Sequence, residues 1–514
     1  MSEEIEIAGI KIPKADWEAT PASIQAVVTV LSERLSHLEE KLNKNSKNSS
    51  KPPSTDGFGK PDKGKGKGKK QTRKGEQSDS SKSPRQVRRL YPVEACKEVY
   101  EVVPEVCNGC GGSLSGRDSQ AHRHQVIELP PILPTVFEYR LHQLTCGHCG
   151  ESTRASLPAG VSPLGYGERL SAIVVMLSGS YRQSYRQVQA LMKDLFNVTV
   201  SRGGVGRLRQ EMSEAVSGPV AEAKCYVQSQ ATKHSDETSF AQGNRDGQNP
   251  QKKKGWLWVL ATPLVSFFEV VLSRSQATAK VLIGENFFGI VNSDRYSAYG
   301  WIDLSQWQVC WAHLRRDLTA IAERSGVSKE IGEALLARQK RLFRWWYQLR
   351  EVTLSREAFI ERVNHLRAGF KAELEAAASL PIAKDEKSPL AKTVRTCRQL
   401  LKVEAALWTF VYTPGVEPTN NLAERTLRPA VIWRGISFGS QSKSGSQFVA
   451  RMLTVTTSLK AQDRNILDFL TQACHAARLG LPPPSLIPQT SSPDRSSSDS
   501  TDKPKSEEES QLAA

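Results

Sequence analysis

The sequence predicts an α/β fold whose core is interrupted by an all-helical insertion and preceded by a coiled coil, a small zinc ribbon and a helical domain. Three observations predict it. Residues 256–262 and 266–272 are strand-like apolar runs, residues 276–285 read as a helix, and residues 287–292 and 307–311 read as two more strands. With a strand ahead of Asp236, this gives three strands, a helix, a strand and a strand, the order of a ribonuclease-H-like core. Residues 314–410 are helical in period throughout, as at Leu342, Phe343, Trp346 and Leu349, and so form the insertion. Finally, Cys107-Asn-Gly-Cys110 and Cys146-Gly-His-Cys149 make two close cysteine pairs with 35 residues between them.

Size and charge set the frame. At 514 residues the chain is too long for one core, and two to four domains are expected. Lys and Arg number 70 against 54 Asp and Glu, a formal charge of +16 and a pI near 9.4. Such a surplus favours polyanions, because neutralising phosphates releases condensed counterions, and nucleic acid becomes the leading partner class. The acidic start Met1-Ser-Glu-Glu-Ile-Glu lacks the form of a signal peptide, and no apolar run approaches the ~20 residues of a membrane span. Nine cysteines, with four in two close pairs, argue against a secreted disulfide framework. A cytoplasmic address, without a membrane partner, is the expectation.

In chain order, Ile24, Val28, Leu31, Leu35, Leu38 and Leu42 alternate spacings of four and three, the a/d seam of a coiled coil over residues 17–44. The alternative is an amphipathic helix packed on its own domain. Residues 45–90 are Lys, Gly, Ser, Pro and Asn, too poor in apolar groups to offset ordering entropy, and read as a disordered basic linker. Its lysines would scan DNA, or simply tether. Over residues 91–155 the four thiolates of Cys107, Cys110, Cys146 and Cys149 suit tetrahedral Zn²⁺. The alternating segments 125–129 and 136–142 between them read as hairpin strands, while His122, His124 and His148 read as surface histidines rather than substitute ligands. Residues 160–220 are helical. Val188, Leu191, Met192 and Leu195 mark one helix, and Ser201 caps a second carrying Arg202, Arg207 and Arg209. This is a helix-turn-helix outline, read as a DNA-binding domain against the alternative of plain scaffold.

Residues 225–435 form the expected catalytic domain. Asp236 opens beside a glycine-rich turn, Asp294 follows a strand, and Glu424 lies in Pro418-Thr-Asn-Asn-Leu-Ala-Glu-Arg-Thr-Leu-Arg428, a short helix capped by Thr419 or Asn420 and ended by Pro429. Mg²⁺ takes oxygen ligands, commonly a few carboxylates plus substrate phosphates. Two such ions can clamp the attacking and leaving oxygens of a phosphodiester displacement. Glu237, Asp303 and Glu417 are competing acids, and any one acid alone is more simply a solvated carboxylate. Asn420, Asn421, Arg425 and Arg428 surround Glu424, and Arg315 and Arg316 sit after the last strand, as candidate DNA contacts. Residues 436–482 read as a helical segment and 483–514 as a disordered tail.

At these residues the chain resembles the DDE transposases of the insertion-sequence sixty-six family. The resemblance runs through the heptads, Asn45 to Ser54, the cysteine pairs, His234-Ser-Asp-Glu-Thr238, Ser293-Asp-Arg-Tyr-Ser-Ala-Tyr299, Cys310-Trp-Ala-His-Leu-Arg-Arg316, Pro418 to Ser440 and residues 448–470. It implies Asp236, Asp294 and Glu424 as a triad binding two Mg²⁺ ions (Mn²⁺ in their place) within a ribonuclease-H-like fold. It also implies structural Zn²⁺, a nucleoid-associated bacterial enzyme, and a DNA substrate made of terminal inverted repeats and target DNA. A homodimer through the coiled coil and element-encoded accessory proteins are the expected protein partners. Lys233-His234-Ser235 stands where the family shows a more apolar strand, and residues 241–254 form a longer polar turn. Cys310 and His313, spaced C-x-x-H, resemble a signature of related transposases. They read as an anchor of strand to helix rather than as metal ligands, since the sequence offers them no partner pair. A zinc-containing DNA-binding regulator, or a nuclease without strand transfer, is the alternative function.

Overall fold

The structure, a computed structural model, describes residues 4–7, 10–45, 48–49 and 90–488. Nearly all of the expected basic linker, and the tail after residue 488, lie outside the described residues. Two units are distinguished: Met1–Phe58 with Val136–Ala514, and Gly59–Thr135.

In the first unit, β1 (Glu4–Ile7) and β2 (Ile10–Pro13) pair antiparallel ahead of α1 (Lys14–Glu18) and α2 (Ala22–Leu42). Ile24, Leu31, Leu35, Leu38 and Leu42 of the heptad seam lie exposed along α2. After the second cysteine pair's hairpin, β3 (Gln143–Thr145) and β4 (Ser152–Arg154), come α3 (Glu168–Gly179), α4 (Tyr185–Phe196), α5 (Arg202–Ala215) and α6 (Ser217–Ser229). The two-helix outline is present in detail. Ser184 and Gln187 close a capping box on α4, Asn197 ends it in the left-handed conformation, and the Ser201 hydroxyl accepts from Gly204 N to start α5.

A five-stranded mixed sheet follows, from β5 (Thr232–Ser239), β6 (Trp256–Ala261), β7 (Ser266–Val271), β8 (Ile290–Ser293) and β9 (Trp307–Val309), with α7 (Gln276–Ile283) between β7 and β8. Its order is β7-β6-β5-β8-β9. The β5–β6 and β6–β7 pairs are antiparallel, and the β5–β8 and β8–β9 pairs parallel. The expected succession of three strands, a helix and two strands is therefore present, with shifted bounds. Gly289 holds φ +85°, and a Cβ there would meet Ala231 O at 2.1 Å, so β8 begins only at Ile290. Cys310 leaves the strand to cap the next helix, so Trp311 is helical rather than part of β9.

The central strand runs from Thr232 to Ser239, through the polar Lys233-His234-Ser235 and on past Asp236. Its polar buried residues are tolerated because each finds a partner. Lys233 Nζ donates to Gln228 O at 2.6 Å and Phe288 O at 2.8 Å, and Ser235 Oγ donates to Val259 O at 3.2 Å. Burial pushes the Lys233 ammonium down to about 8.

The insertion comprises α8 (Trp311–Ala322), α9 (Val327–Arg350), α10 (Arg356–Ser379), α11 (Pro389–Lys402) and the short α12 (Thr409–Tyr412). Trp311 fastens it: fully buried, its ring meets those of Trp408 at 5.1 Å, Phe370 at 5.6 Å and Phe343 at 6.4 Å, and its Nε1 donates to Leu407 O at 2.7 Å. The chain returns along the sheet. Thr409 Oγ1 donates to Trp307 O, Trp311 N donates to Pro418 O, and Asn292 Nδ2 donates to Glu417 O and Thr419 O.

It then enters α13 (Asn421–Ser437), α14 (Lys443–Ala461) and α15 (Ile466–Leu479). Pro429 lies inside α13 instead of ending it. The carbonyl it leaves without a donor belongs to Arg425, an exposed residue that water can reach, so the helix continues. α14 covers the sheet edge: β7 donates from Ser266 N to Ser458 Oγ and from Phe268 N to Thr454 Oγ1, each at 3.0 Å. Residues 483–488 correct the expected tail, since Leu486 is fully buried and Ser485 donates to Glu222. Among the described residues no helix is long and apolar enough to cross a membrane.

Candidate functional site

Three elements bring the expected acids to one place. Asp236 sits on the central strand and Asp294 just past β8. The parallel register pairs His234 with Asn292, so two residues on, Asp236 and Asp294 fall level on the same face. Asp294 is held by Tyr296 N, which donates to its Oδ1 at 2.9 Å. The same face receives the start of α13. Asn420 Nδ2 donates to Ser235 O at 2.8 Å, and His234 Nδ1 lies 3.1 Å from Asn420 Oδ1. Glu424 follows one turn later, so it projects from the side of the helix that faces β5.

Electrostatics reports the same proximity. Asp236 keeps some solvent-accessible surface, yet protein atoms crowd its carboxyl. That desolvation, then the charges of Glu237, Asp294 and Glu424, raise its pKa well above the ordinary carboxylate range. His234 is pushed down to about 4, chiefly by burial, and stays neutral. Glu424 Oε1 lies 3.5 Å from His313 Nδ1, but the geometry makes no hydrogen bond, and both atoms are buried without a hydrogen-bond partner.

The competing acids are accounted for differently. Glu237 points to the opposite face, where Tyr299 donates to its Oε2 at 2.7 Å and Arg274 pairs with its Oε1 at 2.6 Å. Arg274 stacks in turn 3.7 Å over Tyr296, the residue whose amide holds Asp294. Sequence reasoning missed this brace. Its only signal was the pair of tyrosines at i and i+3 in Asp294-Arg-Tyr-Ser-Ala-Tyr299. Asp303 accepts from Ser305 in an exposed turn, and Glu417 is exposed.

Of the expected DNA contacts, Arg202 and Arg207 on α5, Arg315 on α8, and Asn421, Arg425 and Arg428 on α13 are exposed, while Arg316 is half-buried. Two differ. Arg209 is drawn inward, its guanidinium 3.9 Å over Phe448 and 4.9 Å over Tyr185, so its charge is spent on packing. Asn420 is fully buried and tethers α13 to β5, where no nucleic acid reaches it.

Each cysteine pair forms a knuckle. Cys107 N donates to Gly112 O and Gly111 N to Cys107 O, with Gly111 at φ +73°. Cys146 N donates to Glu151 O and Gly150 N to Cys146 O, with Gly150 at φ +75°. Amides aimed at the sulfur, those of Gly109 and Cys110 in the first and of Cys149 and His148 in the second, hold the Cys107 and Cys146 thiols below their usual range. The strands expected at residues 125–129 and 136–142 are absent; the hairpin instead flanks the second knuckle as β3 and β4. The two prolines of Pro130-Pro131, with Pro134 beyond, lack the N–H groups a ladder requires.

Comparison with known proteins adds four findings. Residues 104–150 match the zinc-finger binding domain of transposase IS66, and residues 4–86 match a family of unknown function, DUF6444. An uncharacterized protein of Sinorhizobium fredii, y4qI, is 26% identical over 423 residues, covering 76% of this chain and 74% of its own length. The transposase IS66 family matches residues 165–448, more than half of the 514 residues and the whole span that carries the three acids. The chain therefore belongs to the IS66 family of transposases.

Proposed function

We propose that this transposase cuts and joins the ends of an insertion sequence within a ribonuclease-H-like core, with Asp236, Asp294 and Glu424 as the metal-binding triad. The observation that carries the reading is the convergence of three carboxylates from β5, the end of β8 and the first turn of α13. The sheet order, with the acid-bearing strand central, agrees with it.

The residues suit divalent cations. Asp236 is held well up by burial and negative neighbours, and Glu424 Oε1 is buried without a partner. Such a cluster is relieved by positive charge. Mg²⁺ bound there, two ions in the full reading, supplies Lewis-acid stabilisation of the charge that develops on a phosphodiester under in-line attack. The protein's part is placement. The central strand fixes Asp236, the Tyr296 amide orients Asp294, and the Asn420 tether sets the depth of Glu424. Arg425, Arg428, Arg315 and Arg316 are offered to the phosphates flanking the scissile bond. Arg202 and Arg207 on α5, with the zinc module of residues 91–155, bind the terminal repeats. The apolar stripe exposed on α2 pairs with a second copy, so that two ends are brought together.

The test is an assay with the full-length protein, Mg²⁺ and DNA bearing the element's ends. Cleaved and joined products are expected, and Asp294→Ala should bind the ends yet yield neither. Full cleavage by Asp294→Ala refutes the triad. Cutting without joining would leave a nuclease, and binding alone a regulator. Cys107→Ser with Cys110→Ser should lose zinc and weaken end binding; unchanged zinc content, read by elemental analysis, counts against the knuckles as ligands.

A further inference from the structure

The sequence offered Cys310 and His313 no third ligand, but the fold supplies one from more than 100 residues away. Cys310 caps α8, His313 is the third residue of that helix, and Glu424 lies in the first turn of α13. The thiol sulfur, an imidazole nitrogen and a carboxylate oxygen all lie within 4.8 Å of one another. His313 Nδ1 and Glu424 Oε1, 3.5 Å apart, are both buried and lack hydrogen-bond partners. Buried polar atoms are nearly always satisfied, and a facing pair of orphans is the signature of a missing ion or water. The 3.5 Å between the imidazole and the carboxylate suits an ion, since bonds of ~2.0–2.3 Å put neighbouring tetrahedral ligands ~3.3–3.8 Å apart.

We propose that Cys310, His313 and Glu424 form a binding site for a thiophilic divalent cation, zinc above all, that competes with Mg²⁺ for Glu424. Thiolate, imidazole and carboxylate are the donors that Zn²⁺ prefers and Mg²⁺ does not, as a set. The charges balance: one thiolate and one carboxylate neutralise the dication, so the partly buried cluster carries no net charge. Asn420 N donates to Cys310 Sγ at 3.1 Å, an amide placed to support a thiolate. Free, the thiol is pushed up to about 12 by burial, so cation binding releases its proton to solvent as the sulfur–metal bond forms. A cation held here engages the carboxylate that the proposed catalytic cluster requires. Zinc occupancy therefore keeps the enzyme idle, and this second half rests on the proposed triad.

The test is cobalt loading of the full-length protein after chelation, comparing wild type with Cys310→Ser and with His313→Gln. Wild type should take up one equivalent more than either variant. That equivalent should show a thiolate-to-cobalt charge-transfer band, which Cys310→Ser removes. His313→Gln, at a half-buried site, serves if Cys310→Ser fails to fold. Equal uptake by all three proteins overturns the site. In the Mg²⁺ cleavage assay, zinc beyond the amount that fills the knuckles should inhibit wild type at least about tenfold more than either variant. Equal inhibition overturns the competition while leaving the site standing. Absence of cleavage in every protein would instead strike the proposed function, because uptake is read independently of activity.

Discussion

Replacing Asp236 with Asn should make the Mg²⁺-free protein more stable by about 1–2 kcal/mol while cutting Mg²⁺-dependent cleavage at least about 10³-fold. Both effects have one cause. Asp236 is desolvated and feels the negative charges of Glu237, Asp294 and Glu424, so its folded-state pKa is raised above the unfolded value. For such a group, stability is fully present at low pH, where the carboxyl is protonated in both states. It is lost as the pH climbs from near 4 to the folded pKa, because only the unfolded chain ionises freely over that window. An amide keeps the shape and removes the penalty. Urea denaturation in Mg²⁺-free buffer at neutral pH reads the gain, and the difference between the two proteins should vanish in acid. Adding Mg²⁺ should then stabilise wild type far more than Asp236→Asn, by mass action on the folded state. A variant less stable than wild type without Mg²⁺ would mean that Asp236 is not under electrostatic strain.

Trp311→Ala should cost about 3–5 kcal/mol. The indole is fully buried against Trp408, Phe370 and Phe343, and its N–H satisfies Leu407 O, so truncation removes area, ring contacts and a hydrogen bond together. The damage should spread to the site, because Trp311 N also holds Pro418 just ahead of α13. Trp311→Phe, which keeps most of the packing, should lose only about 1–2 kcal/mol. The denaturation midpoint and limited proteolysis across residues 311–410 measure both variants. A loss below about 1 kcal/mol for Trp311→Ala would show that the insertion is not fastened at this ring.

The legible parts of the fold were those where local chemistry decides. Apolar runs marked β6 and β7, Ser201 announced α5, and helical periodicity marked the insertion. Misread parts were decided by distant groups. β5 is polar in sequence yet central, because Gln228 O, Phe288 O, Val259 O and Asn420 lie ready to receive Lys233, Ser235 and His234. Pro429 reads as a stop, yet α13 passes it, and the residue whose carbonyl loses its helical donor, Arg425, is an exposed one. Arg209 reads as a phosphate contact until Phe448, far along the chain, arrives beneath it. The three proposed acids stood out only jointly, by their placement on the strand order, since any one alone reads as a solvated carboxylate. The brace of Glu237, Arg274 and Tyr299 behind them did not stand out, since its members come from a strand, a loop and a turn.

The span between Asp294 and Glu424 is 130 residues, from 294 to 424. At about 5–20 residues per second, a ribosome needs on the order of ten seconds to cover it. During that interval the sheet can form, with its hairpins complete and two of the acids in position, but the last carboxylate has not been synthesised. Such distant partners also make closure slow once the chain is free. If the proposed triad does the cutting, a nascent chain lacks its third carboxylate, and with it the activity, until residue 424 has been made.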